Sequence, residues 1–201
     1  MAKVCTYYLG PQSPFAYLGH ARLCALAQQY AVQIELKPID LGKVFSLSGG
    51  LPLAKRAPQR QAYRLVELKR WSDALAVPLN PQPKFFPVSG DPAARLIIAA
   101  QLAHGTNAAL QLTGMLMRAL WADEKNIADP EVLVSIALEA GHDGKSLQKS
   151  SETASVQSEY DRFTDEAIAA NVFGAPWYVV DGESFWGQDR LDLLEQTFAK
   201  L

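Results

Sequence analysis

Strand-like patterning in this 201-residue chain is confined to its two ends, and that confinement excludes most folds before any motif is considered. Residues 4–9 form a β-branched and aromatic run, stopped by Gly10-Pro11, as expected of a buried strand entering a turn. A helix follows: Ser13 suits the N-cap, Pro14 the first helical position, and Phe15, Leu18, Leu23, Leu26, Ala27 and Tyr30 recur at helical spacing. Residues 32–39 alternate apolar and polar, completing a βαβ unit whose crossover is right-handed by the general rule. At the other end, strand-like runs at 177–180 and 184–186 flank Asp181-Gly182, a common hairpin turn pair. A last helix begins near Asp189 and carries Leu191, Leu194 and Phe198 on one face.

Between these ends, from about 46 to 165, the pattern is helical, with apolar residues at three- and four-residue spacing over 59–76, 92–104, 108–121, 130–140 and 156–170. The proline-rich stretch 78–87 cannot be helix and is too apolar for a solvated linker, so it reads as an ordered loop lying over a pocket.

A net charge of −2 carries no footprint for nucleic acid, which leaves a small molecule or a protein as the expected partner. The longest apolar stretch, around Leu96 to Ala100, is far too short to span a bilayer. The chain starts directly on an apolar strand with no charged leader, so a cytoplasmic location is expected. Cys5 and Cys24 form no CxxC pair and have no metal-ligand spacing with His20, His104 or His142. They read as buried, reduced thiols, and no metal is expected.

A short sheet that opens as βαβ, gives way to a long helical stretch and returns as ββα matches an α/β thioredoxin-like fold with an inserted all-helical domain. Residues 1–45 and 166–201 then form the discontinuous thioredoxin-like domain and 46–165 the insertion. Three elements sharpen this: Tyr7-Tyr8-Leu9 with Ser13 to Leu18, then Phe173-Gly174-Ala175-Pro176, then Phe185 to Leu191. In this order, flanking a helical insertion, they resemble the 2-hydroxychromene-2-carboxylate isomerase and kappa-class glutathione transferase family over nearly the whole chain.

In a thioredoxin fold the turn after the first strand carries the redox CxxC. Here that stretch is Ser13-Pro14-Phe15-Ala16, so exchange by the protein's own thiols is unavailable at this position. What remains is a hydroxyl and backbone N–H groups at a helix N-terminus, a site suited to an anion. Given the resemblance, the anion is expected to be the thiolate of glutathione, with Ser13 as the catalytic residue that orients and stabilises it. A hydrogen bond to a charged acceptor contributes about 1.5–3 kcal/mol. At about 1.4 kcal/mol per pKa unit, that is enough to bring a thiol of pKa about 8.5 to near 7.

The resemblance further implies that Pro176 is cis and that the Ala175 backbone pairs with the cysteinyl residue of glutathione as an added strand. It implies that Trp186, Gly187, Gln188 and Asp189 receive the γ-glutamyl end, Asp189 taking the amino group and the amides around Gln188 the α-carboxylate. Lys55, Arg56 and Arg60 cluster before the first long helix. By default they are solvated surface charge; by resemblance they hold the carboxylate of an aromatic acid or the glycyl carboxylate of glutathione. Phe45 stands near where an isomerase lysine is expected, and the asparagine expected before this helix is not evident. Phe85, Phe86, Trp121 and Trp177 are candidate pocket walls.

The activity implied is a glutathione-dependent isomerisation of a 2-hydroxychromene-2-carboxylate-type aromatic acid to the trans-o-hydroxybenzylidenepyruvate-type product. The thiolate acts as a nucleophilic catalyst regenerated each turn. The alternatives are a kappa-class-like glutathione transferase and a non-catalytic thioredoxin-fold binding protein. A disulfide oxidoreductase is disfavoured by Ser13 and Ala16. A homodimer is implied by the resemblance alone.

Overall fold

The protein is described by a computed structural model covering residues 3–201. Its sheet has four strands in the order β2-β1-β3-β4. β1 (Val4–Leu9) runs parallel to β2 (Gln33–Pro38), in register from Val4 opposite Gln33 to Leu9 opposite Pro38. On its other side β1 pairs antiparallel with β3 (Trp177–Val180), with Tyr7 opposite Tyr178. β3 returns as β4 (Glu183–Trp186) through Asp181 and Gly182, both at positive φ (48° and 82°), as a two-residue hairpin loop whose twist matches the strands demands. The chain therefore forms a mixed α/β thioredoxin-like sheet from its first and last segments, as the end-loaded strand pattern predicts.

Between β1 and β2 runs α1 (Pro14–Gln29), the helix that begins at Ser13. After β2 come α2 (Leu41–Ser48), α3 (Pro58–Leu75), α4 (Asp91–His104), α5 (Thr106–Trp121), α6 (Pro130–Glu139), α7 (Gly144–Ser151) and α8 (Ala154–Ala169). After β4, a 3-10 turn (Gln188–Arg190) leads into α9 (Leu191–Phe198), so the last regular helix starts two residues beyond Asp189. The helix α4 is apolar nearly all round, burying Ala93, Ala94 and the run from Leu96 to Ala100. It packs on α5, α7 and α8 and reaches β2, so one apolar core runs from Leu36 in the sheet through Ile97 to Trp121 and Leu133. We propose the division into 1–45 with 166–201 and an inserted 46–165; α2 and α8 span its two joins, and residues 1 and 2 lie outside the described residues.

The proline-rich loop is held by hydrogen bonds to α1 and to the end of α5. Tyr17 Oη of α1 donates to the Pro78 carbonyl at 2.8 Å, and the Asn80 N–H donates to the Trp121 carbonyl at 2.7 Å. Cys5 is buried as expected, but Cys24 is only partly so, because α1 turns it toward the rim of the core. Among the described residues, no helix is long and apolar enough to cross a membrane.

Candidate active site

The C-terminal end of β1 delivers the chain to Ser13, whose Oγ accepts from the Ala16 N–H at 3.2 Å and so caps α1. Its proton is donated in the other direction, to the Ala175 carbonyl at 3.3 Å, a long bond joining positions far apart in sequence. Of the first donors of α1, Pro14 has none and Ala16 is taken by the cap. The Phe15 N–H is left without an acceptor among the described residues.

Ala175-Pro176 is a cis peptide at the entrance to β3. The Ala175 N–H likewise finds no acceptor among the described residues. Directly beyond, the Gly187 N–H donates to the Pro176 carbonyl at 2.9 Å and holds the end of β4 against this corner. Gly187 sits at φ 96° and ψ 150°, a conformation nearly reserved for glycine. An added Cβ there would meet the Asp189 carboxylate. Asp189 itself pairs with Arg190 and stays substantially exposed.

These segments enclose a cleft of about 230 Å³. Its walls are formed in part by Phe15, Ala175 and the run from Trp186 through Gly187, Gln188 and Asp189 to Arg190. The remaining wall is Glu67 and Trp71, one helical turn apart on α3. Ser13 and Pro176 do not line this cleft themselves: Ser13 is buried and is tied to it through its hydrogen bond to the carbonyl of Ala175, which does.

A DsbA-like thioredoxin domain profile matches residues 7–199. The chain is 30% identical over 196 residues to a 2-hydroxychromene-2-carboxylate isomerase of Sphingobium xenophagum, covering 97% of each. The chain belongs to the 2-hydroxychromene-2-carboxylate isomerase and kappa-class glutathione transferase family. It is also 26% identical to human glutathione S-transferase kappa 1, over 90% of this chain and 84% of that one. A solved 2-hydroxychromene-2-carboxylate isomerase structure superposes with a TM-score of 0.84 at 26% identity, covering 98% and 95% of the two chains.

This DsbA-like family member keeps its own thiols out of chemistry. Burial pushes the Cys5 thiol up to about 12, partly opposed by a backbone hydrogen bond from Val179. Burial alone pushes Cys24 up to about 11. Both are therefore protonated at neutral pH and poor nucleophiles. Burial also lowers His20 to about 4 against the opposing hydrogen bond to the Leu110 carbonyl, so its imidazole is neutral.

The residues named from the sequence divide into two groups in space. Ser13, Ala175, Pro176 and the segment from Trp186 to Asp189 converge on one corner of the sheet. Lys55, Arg56, Arg60 and Phe85 lie apart from the cleft lining. Lys55 is exposed on the rim of a separate recess beside Phe45. Arg56 Nε donates to the Leu51 carbonyl at 2.7 Å while its guanidinium lies 5.9 Å from the Phe45 ring centroid. Arg60 is exposed, and Phe85 packs partly buried against the core beneath Lys84. Phe86 and Trp121 meet with ring centroids 4.8 Å apart, and Trp177 is buried against Phe173.

Sequence reasoning missed Phe15, Glu67, Trp71 and Arg190 as cleft residues. For the α3 pair a signal existed, since Glu67 and Trp71 are four apart and so share a helix face. Nothing in the sequence showed that this face turns toward the end of β4.

Proposed function

We propose that the protein is a glutathione-dependent isomerase of 2-hydroxychromene-2-carboxylate-type aromatic acids, yielding the trans-o-hydroxybenzylidenepyruvate-type product. The observation that carries the reading is the Ser13 hydroxyl, whose Oγ donates to the carbonyl oxygen of the cleft-lining Ala175 across 3.3 Å. A bond that long is easily exchanged for a stronger acceptor, and a charged one gains about 1.5–3 kcal/mol. The names of the relatives support the same class of activity.

The residues fit glutathione in three places. The Ala175 N–H, without an acceptor among the described residues, and its C=O, which takes only the long Ser13 bond, suit pairing with a peptide. The carboxylates of Asp189 and Glu67, both cleft-lining residues, suit an ammonium group. The Phe15 N–H and the Ser13 hydroxyl, at the start of α1, suit an anionic sulfur. When bound, glutathione would supply the thiolate nucleophile and leave unchanged after each turnover. Ser13 holds the anion and keeps its own proton, because among the described residues no side-chain base hydrogen-bonds its Oγ, whose partners are the Ala16 N–H and the Ala175 carbonyl.

A cytoplasmic homodimer belongs to the same proposal. The exposed apolar side chains of Leu47, Leu51, Tyr63 and Val66, on and between α2 and α3, supply a surface for it. Sedimentation at several protein concentrations tests that part.

The decisive experiment supplies substrate in large excess over glutathione. Many product molecules per glutathione, with the thiol recovered intact, support isomerisation. One-for-one loss of glutathione supports a transferase instead, and absence of glutathione binding by calorimetry leaves only a binding protein.

A further inference from the structure

On α3, Arg60, Arg64, Glu67 and Trp71 follow one another at four-, three- and four-residue steps, which places them on a single stripe of the helix. The lower two, Glu67 and Trp71, line the cleft. Arg64 is therefore one turn, about 5 Å, along the same stripe from a cleft wall. Unlike Arg60, it is half-buried.

Its surroundings are aromatic. The Arg64 guanidinium lies 5.0 Å from the Phe86 ring centroid and 5.6 Å from that of Trp121. Neither ring offers a hydrogen-bond acceptor in its plane, and among the described residues Arg64 has no carboxylate within salt-bridge range. The nearest acid on its stripe, Glu67, is paired with Arg70 at 3.3 Å. The nearest charge that acts on it is the cation of Arg56, which together with burial lowers its pKa to about 10, burial being the larger cause. Other cations withdrawn from solvent have spent donors: Lys37 on Glu166 at 2.8 Å and Glu35 at 3.0 Å, Arg22 on Asp192 at 2.7 Å, Arg56 on the Leu51 carbonyl at 2.7 Å and Arg95 on Gln157 at 3.3 Å. Beside Arg64 a second donor goes unanswered, since Trp121 Nε1 is fully buried with no partner.

A desolvated guanidinium with its donors unspent is costly unless an anion joins it, and a planar carboxylate is the anion whose geometry matches its fork. We propose that Arg64 is the specificity-determining residue of the substrate half of the site, binding the carboxylate of a planar aromatic acid whose ring packs beside Phe86. This rests on the isomerase reading for the identity of the acid, and it shifts the anchoring role from Lys55, Arg56 and Arg60 to a residue the charge cluster did not include. The glycyl carboxylate of glutathione offers the same chemistry. The aromatic acid is favoured because Phe86 and Trp121 frame the guanidinium, and a glycyl end has no ring for them to meet.

The test uses 2-naphthoate as a probe, its neutral amide as control, and glutathione separately, each titrated by calorimetry against the wild-type chain, Arg64→Met and Arg64→Lys. Arg64→Met keeps the length and the apolar packing of the stem. It is expected to weaken 2-naphthoate about 10–100-fold, as loss of a charge-assisted pair does, while the amide and glutathione bind as before. Arg64→Lys should recover part of the loss. The proposal is overturned if Arg64→Met keeps the preference for acid over amide, if glutathione weakens while 2-naphthoate does not, or if the wild-type chain binds no 2-naphthoate. Failure of the wild type to bind glutathione sinks the isomerase reading; the naphthoate result then still decides the role of Arg64.

Discussion

The Ser13 hydroxyl and the Ala175 carbonyl, 162 positions apart in the chain, meet at 3.3 Å. That contact directs the hydroxyl proton of the α1 cap to the carbonyl of a residue that lines the cleft. Replacing Ser13 with Ala removes the donor and should return a bound thiol toward its ordinary pKa of about 8.5. The acid limb of the pH–rate profile is expected to move up by about one to two units, with lower turnover at pH 7. Loss of the cap should also cost about 1 kcal/mol of stability. An unchanged pH profile in Ser13→Ala, with the variant folded, would remove Ser13 from the chemistry.

Asp189 tests the opposite end of the cleft. Asp189→Asn keeps the size of the side chain and discards the charge, so glutathione affinity should fall about 10-fold or more. The pH midpoint should stay where it is, since Asp189 acts on the far end of the ligand. Calorimetry reads the first effect and the pH–rate profile the second; equal affinity in the two proteins sets this role aside.

Gly187 offers a structural counterpart. Its backbone, at φ 96° and ψ 150°, strains any residue with a Cβ by about 1–3 kcal/mol, and the Cβ would press on the Asp189 carboxylate. Gly187→Ala should lower the unfolding midpoint in urea and weaken glutathione, because the Gly187 N–H bond to Pro176 is what holds this corner. Full stability in this variant contradicts the strained geometry.

His20 predicts an acid-sensitive window. Its pKa is depressed by burial to about 4 in the folded chain and is about 6.5 when unfolded, so the unfolded state binds the proton more readily. The neutral form's full contribution is present above pH 6.5. It falls by about 1.4 kcal/mol per unit as pH drops toward 4, for a total of about 3 kcal/mol. His20→Gln, which can still donate to the Leu110 carbonyl, should flatten the stability curve between pH 6.5 and 4. Urea titrations across that range decide it, and parallel curves for the two proteins count against the assignment.

The sheet and the corner where Ser13 meets Ala175 were legible because both are written locally. Gly10-Pro11 stops β1, Ser13-Pro14 starts α1, and Asp181-Gly182 makes the β3–β4 turn. The helices α2 and α7 carried less signal: α2 buries only Leu41 and Val44 before Gly49, and α7 buries Leu147 amid serines and lysines. The half-buried position of Arg64 was illegible for a different reason. Sequence shows where cations cluster, and Lys55, Arg56 and Arg60 do cluster. Which cation loses its water depends on Phe86 and Trp121 folding over α3, a contact that no local pattern encodes.

Because β1 lies between β2 and β3, and the cleft takes Phe15 from one end of the chain and Trp186 to Arg190 from the other, a ribosome must deliver nearly the entire polypeptide before the pocket exists. Any molecule that occupies it can therefore favour only the finished product of translation, by mass action, and offers no help to the partly made helical segment that waits for its closing strand.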